Sequence, residues 1–115
     1  YDKELLCDKI DALKHYGNDY SSSGHLYLLR LLAKDENYRN RVLEKMAEKG
    51  IATNVHYKPL PMHTAYKNLG YDIKDYPNAF EMYKNEITLP LHTLLTDKQV
   101  EYVIESFKEI ISIVN

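Results

Sequence analysis

The run GIATNVHYKPLPMHTAYKNLG, residues 50–70, decides how the chain is read. Gly50 closes an amphipathic helical pattern, the ordinary place for a residue that takes positive φ without strain. Residues 51–57 then alternate as a short strand does, with Ile51, Val55 and Tyr57 on one face and Asn54 and His56 on the other. Pro59 and Pro61 end regular pairing and stiffen the turn after it. His56, Tyr57, Lys58 and His63 thus bring two imidazoles, a phenol and an ammonium onto one stiff segment. Loops that carry polar side chains on a rigid frame are where binding and catalysis concentrate.

The flanking chain reads as the frame. Leu6, Ile10 and Leu13 are at helical spacing and predict a helix over residues 2–13, with Cys7 as a small apolar residue on it. Gly17 and the run Ser21-Ser22-Ser23-Gly24 break the chain. Residues 25–33 predict a strand, with Leu26, Leu28, Arg30 and Leu32 on one side and Tyr27, Leu29 and Leu31 on the other. Apolar side chains on both faces make it a central strand, covered on each side. Asp35 is placed to cap a helix whose stripe is Tyr38, Val42 and Met46. Residues 64–69 predict one or two helical turns, and Pro77 suits the first turn of a helix with Phe80 and Tyr83 facing inward. Residues 87–91 predict a short strand that Pro90 makes an edge or an end. Thr96-Asp97-Lys98-Gln99 is a capping box, and Val100, Val103, Ile104, Phe107, Ile110, Ile111 and Val114 line one face of the helix behind it. The order describes an α+β layer, helices on a small sheet.

Composition narrows the function classes. The chain has 115 residues, 44% of them hydrophobic and 28% charged, which suits one ordinary globular domain. A domain of this size buries roughly 65% of its extended-chain surface, so a core needs no staples. The net charge of −2 argues against a nucleic-acid partner, which calls for a basic surface. A single cysteine cannot form an internal disulfide and fits a reducing, cytoplasmic setting. No apolar run is long enough to cross a membrane, and no signal peptide is visible. Eleven tyrosines against two phenylalanines and no tryptophan favour a domain with an interface, since tyrosine pairs an apolar ring with a hydroxyl. The chain opens at Tyr1 with a helical pattern already under way, as a fragment of a longer protein would.

The five histidines, His15, His25, His56, His63 and His92, lack zinc-site spacing, so no metal site is expected. His56 on the polar face of its strand is able to hydrogen-bond phosphate or sugar, and Lys58 to meet an anion as a point charge. The same residues also suit a solvated strand and loop. Arg30 on a mostly apolar strand needs a partner, either a structural carboxylate or an anionic ligand. His92 is expected to help close a loop.

Three stretches carry a family resemblance. Ser22-Ser23-Gly24-His25-Leu26-Tyr27 resembles the strand entry of the small domain of DegT/StrS-type sugar aminotransferases. Met46-Ala47-Glu48-Lys49-Gly50-Ile51, followed by Val55-His56-Tyr57-Lys58-Pro59-Leu60, resembles that family's "L…GI…HY.PL" signature. Ile87-Thr88-Leu89-Pro90-Leu91-His92, with Leu95-Thr96-Asp97 and the last helix, is similar to its "LP…LT" ending. The resemblance implies the C-terminal small domain of a fold-type-I enzyme dependent on pyridoxal phosphate (PLP), with a sheet of about three mostly antiparallel strands. It implies a homodimer that transfers an amino group, commonly from glutamate, to a keto-sugar on a nucleoside diphosphate, for aminosugar or polysaccharide biosynthesis. His56 and Tyr57 would face the substrate, Lys58 less directly. Pro61 stands where many members carry a histidine, so His63, two residues on, is the candidate for that role. The Schiff-base lysine and the acidic partner of the cofactor ring would lie on a large domain that precedes this chain, so residues 1–115 alone are expected to be inactive and to bind no PLP. Two alternatives remain at this level: a stand-alone α+β module that binds a small ligand or a partner protein, and the small domain of a related PLP-dependent sugar dehydratase.

Overall fold

The computed structural model describes residues 1–114. In chain order its elements are α1 (Asp2–Leu5), β1 (Ile10–Ala12), β2 (Tyr27–Leu31), α2 (Glu36–Glu48), α3 (Thr64–Asn68), α4 (Pro77–Tyr83), β3 (Glu86–Leu89) and α5 (Asp97–Ile113), with single 3-10 turns at Leu60–Met62 and Ile73–Asp75. The three strands form one antiparallel sheet in the order β1-β2-β3. The α+β architecture and the central place of residues 27–31 are as the sequence predicts.

Register gives the sheet two unlike faces. Tyr27 lies opposite Leu89 and Leu29 opposite Ile87, and all four are buried. With Leu31 and Ile10 they meet Val42 and Met46 of α2 and Val103, Phe107 and Ile110 of α5 in the core. The intervening residues, Leu28 opposite Thr88 and Arg30 opposite Glu86, face the other way. That second face is covered by residues 54–59 and by α4, and it holds the site.

The two long helices begin and end where the sequence says. Asp35 accepts a hydrogen bond from Tyr38 N at 2.8 Å and caps α2. Gly50 takes φ 72°, while its N–H donates to Ala47 O and that of Ile51 to Met46 O, closing the last turn. At α5 Gln99 N donates to Thr96 Oγ1 and Thr96 N to Gln99 Oε1, a complete capping box. Pro77 opens α4, and β3 stops one residue short of Pro90.

Two expected elements are different in the structure. The helix over residues 2–13 ends at Leu5, and Ile10–Ala12 pairs with β2 instead. Helical spacing there is outweighed by the open edge of β2, whose backbone groups need partners. Cys7 consequently sits exposed in the tight turn that leads into β1, exchanging backbone hydrogen bonds with Ile10, and not on a helix. The strand over residues 51–57 is reduced to a single bridge, Asn54 with Thr88. Side chains take the positions that a ladder would use: Asn54 Oδ1 accepts from Val55 N at 2.8 Å, and Glu86 Oε2 accepts from His56 N at 2.9 Å. Such local side-chain acceptors compete directly with sheet pairing.

Two substitutions probe this frame in chemical denaturation of the chain. Phe107 is fully buried, so Phe107→Ala is expected to lower unfolding free energy by about 3–5 kcal/mol. Thr96→Ala removes the cap hydroxyl of α5 and is expected to lower it by about 1 kcal/mol.

Candidate functional site

On β3, Glu86 and Thr88 alternate with Ile87 and Leu89, so both polar side chains leave the strand on the face away from the helices. Thr88 Oγ1 donates to Glu86 Oε1 at 2.7 Å, and His56 Nδ1 lies 2.8 Å from the same hydroxyl. The second carboxylate oxygen accepts the His56 backbone N–H. The Glu86 carboxylate thus accepts on both oxygens, and a threonine hydroxyl has one proton to give. With that proton directed to Glu86, His56 carries its own on Nδ1 and donates it to Thr88. In the neutral ring the lone pair then lies on Nε2. Glu86 is buried, and burial pushes its carboxyl above the usual carboxylate range, offset in part by the Thr88 hydroxyl, the His56 N–H and the Arg39 charge.

His56 forms part of a recess of about 210 Å³ whose lining includes Leu28, Arg30, Tyr57, Met82 and Glu86. Tyr57 is 70% exposed, and its ring meets the His56 ring edge to face at 4.6 Å. Strict alternation would have sent these two side chains to opposite faces; with no strand there, both reach one recess. Among the described residues Arg30 finds no carboxylate. Its Nε donates to Asn85 Oδ1 at 3.3 Å and its Nη2 to Glu81 O at 3.1 Å, which holds the guanidinium against α4. Lys58 is exposed and lies outside the lining. His63 is exposed as well, and its Nε2–H donates to Lys58 O at 3.3 Å across the proline turn. The structure therefore gathers His56 and Tyr57 and leaves Lys58 and His63 at the margin. His92 does close its loop, accepting from Leu94 N through Nδ1 at 3.3 Å.

Sequence reasoning alone does not single out Glu86 and Thr88. Their signal is present there: two polar residues at spacing two beside Ile87 and Leu89, on a strand expected to begin one residue later. The residues present do not by themselves suit covalent attachment of PLP. A Schiff base needs an amine that loses its proton readily, as a desolvated lysine does. Every lysine among the described residues is exposed or half-buried, and the two half-buried ones, Lys49 and Lys84, are ion-paired with Glu109 at 2.7 Å and Glu81 at 2.6 Å. None lines the His56 recess.

Comparison with known proteins places this geometry. The sequence matches the DegT/DnrJ/EryC1/StrS aminotransferase family over residues 4–108. Spr1654 of Streptococcus pneumoniae, a candidate sugar aminotransferase solved in its PLP form, superposes with a TM-score of 0.95 at 46% identity, over 99% of this chain and 29% of that one. The spore coat polysaccharide biosynthesis protein SpsC of Bacillus subtilis is 33% identical across 82% of this chain and 25% of its own length. The UDP-4-amino-4,6-dideoxy-N-acetyl-beta-L-altrosamine transaminase of Campylobacter jejuni is 31% identical across 90% of this chain and 27% of its own length. The chain thus spans little more than a quarter of the length of these relatives. With nearly all of its residues matched and the same three-stranded fold, the chain belongs to the DegT/DnrJ/EryC1/StrS aminotransferase family.

Proposed function

We propose that this chain is the C-terminal small domain of a PLP-dependent enzyme that aminates a keto-sugar carried on a nucleoside diphosphate, with glutamate as amino donor, for aminosugar or polysaccharide biosynthesis. The observation that carries the reading is the imidazole of His56, held by a buried hydroxyl–carboxylate pair at a recess shared with Arg30 and Tyr57. Family membership, together with relatives described as sugar-nucleotide transaminases, favours a hydroxyl-rich, anionic substrate for that recess. In this reading His56 and Tyr57 form one wall of the substrate site. Lys58 and His63 stand at its rim, where an ammonium and an imidazole meet the charged or hydroxylated parts of the ligand from solvent.

The remaining machinery lies on other parts of the longer protein: the Schiff-base lysine, the acid at the cofactor ring and a second subunit that completes a homodimer in the cytoplasm. When bound there, PLP supplies the electron sink for moving an amino group. The residues of this chain bind and orient the sugar. Relatives more than three times as long support a domain that works as part of a larger enzyme, in preference to a stand-alone binding module.

Replacing His56 by Ala in the full-length enzyme is expected to lower kcat/KM for the nucleotide sugar by about tenfold to a hundredfold, the scale of one hydrogen bond to a polar or charged group, with the cofactor absorbance band retained. Unchanged sugar kinetics would remove His56 from the site. The 115-residue chain mixed with PLP and dialysed is expected to keep no cofactor absorbance, whereas a surviving band would place a lysine of this chain at the cofactor.

A further inference from the structure

We infer that Thr88 and Glu86 are positioning residues for His56: together they fix its ring orientation and its tautomer, so that Nε2 is presented to the recess as a hydrogen-bond acceptor for a substrate hydroxyl. This rests on the reading that His56 meets the nucleotide sugar.

The geometry is a two-point clamp. One oxygen of Glu86 holds the His56 backbone N–H at 2.9 Å, and the other holds, through the Thr88 hydroxyl, the His56 ring at Nδ1. Backbone and ring are thus gripped at separate points, one by the carboxylate directly and one through the Thr88 hydroxyl. A flip of the ring about Cβ–Cγ would put Cδ2 where Nδ1 stands and break the second grip. Both clamp residues are nearly withdrawn from water, Glu86 at 5% exposure and Thr88 at 6%, so water does not substitute for either bond. The nearby cations are committed elsewhere. Arg39 donates to the carbonyls of Tyr83 and Glu86, and Arg30 to Asn85 and the Glu81 carbonyl. The carboxylate of Glu86 is thereby left to His56 and Thr88. Which imidazole nitrogen carries the proton is set by the bond the other nitrogen makes. Here Nδ1 donates to Thr88, so in the neutral ring the lone pair is on Nε2. A sugar hydroxyl is a donor that such a nitrogen accepts, and a proton passed to Nε2 would make an imidazolium whose charge the Glu86 carboxylate faces through one hydroxyl.

A double-mutant cycle in the full-length holoenzyme tests the clamp, with kcat/KM for the nucleotide sugar as the readout. Thr88→Val keeps the shape and removes the hydroxyl, and about a tenfold loss is expected, with Thr88→Ser restoring the wild-type value. In a His56→Ala background, Thr88→Val is expected to add nothing, which a merely structural role would not reproduce. Wild-type kinetics in Thr88→Val, or the same loss with His56 already absent, would overturn the clamp while leaving the role of His56 intact. No effect of His56→Ala itself would overturn both readings. Should Thr88→Val not fold, the nitrogen-15 spectrum of the wild-type His56 ring decides. In the neutral ring a proton on Nδ1 is expected, and a neutral ring with its proton on Nε2 would overturn the inference.

Discussion

The antiparallel register between β2 and β3 is the constraint on which the rest depends. It sets Leu29 against Ile87 and Tyr27 against Leu89 on one face, and Arg30 against Glu86 and Leu28 against Thr88 on the other. Because strand side chains alternate with period two, a slip by one residue would drive Glu86 and Thr88 under the helices and turn Ile87 and Leu89 away from the core. Burying a carboxylate without partners costs several kcal/mol, so the register is strongly specified. The same alternation that builds the core on α2 and α5 builds the recess on the opposite face.

Buried charge ties that recess to the core. Arg39 of α2 is fully buried, donates to Tyr83 O at 3.2 Å and Glu86 O at 3.4 Å, pairs with Glu36 at 3.4 Å and lies over the Tyr83 ring. The Tyr83 hydroxyl returns to Glu36 at 2.7 Å. A buried guanidinium is tolerated only when its donors are occupied, and here the acceptors belong to the end of α4 and the start of β3. The arrangement fastens α4, which buries no residue of its own, to the edge of the recess, where Met82 and Tyr83 form part of the wall. Within β3, Glu86 uses its backbone oxygen for Arg39 and its carboxylate for the His56 segment. Frame and site therefore meet in a single residue.

The site residues follow from this frame in unequal measure. His56 and Tyr57 are legible as a pair because they stand together before a proline-stiffened turn, in the stretch 55–60 that resembles the family signature. Lys58 and His63 stand beside them in the sequence but not in the recess, since the turn carries both to the surface. Glu86 and Thr88 act from thirty residues away. Their polar side chains on an apolar strand signal a special face, but not which segment comes to rest on it.

Helices with strong end signals were settled by the sequence alone. Asp35, Gly50 and the Thr96–Gln99 box mark local backbone groups that must find local partners, and α2 and α5 start and stop there. The α+β class and the central position of residues 27–31 came from the same local patterns, apolar periods of the helix and of the strand. Only the tertiary structure decided which short segments pair. Ile10–Ala12 is too short for its alternation to outweigh helical spacing, and it becomes a strand because β2 has an open edge. Residues 51–57 alternate well and yet do not form a strand, because the Glu86 carboxylate takes the His56 N–H that a ladder would have used. Long-range partners for backbone groups are a property of the folded chain, and they fixed both the sheet and the orientation of the histidine at its face.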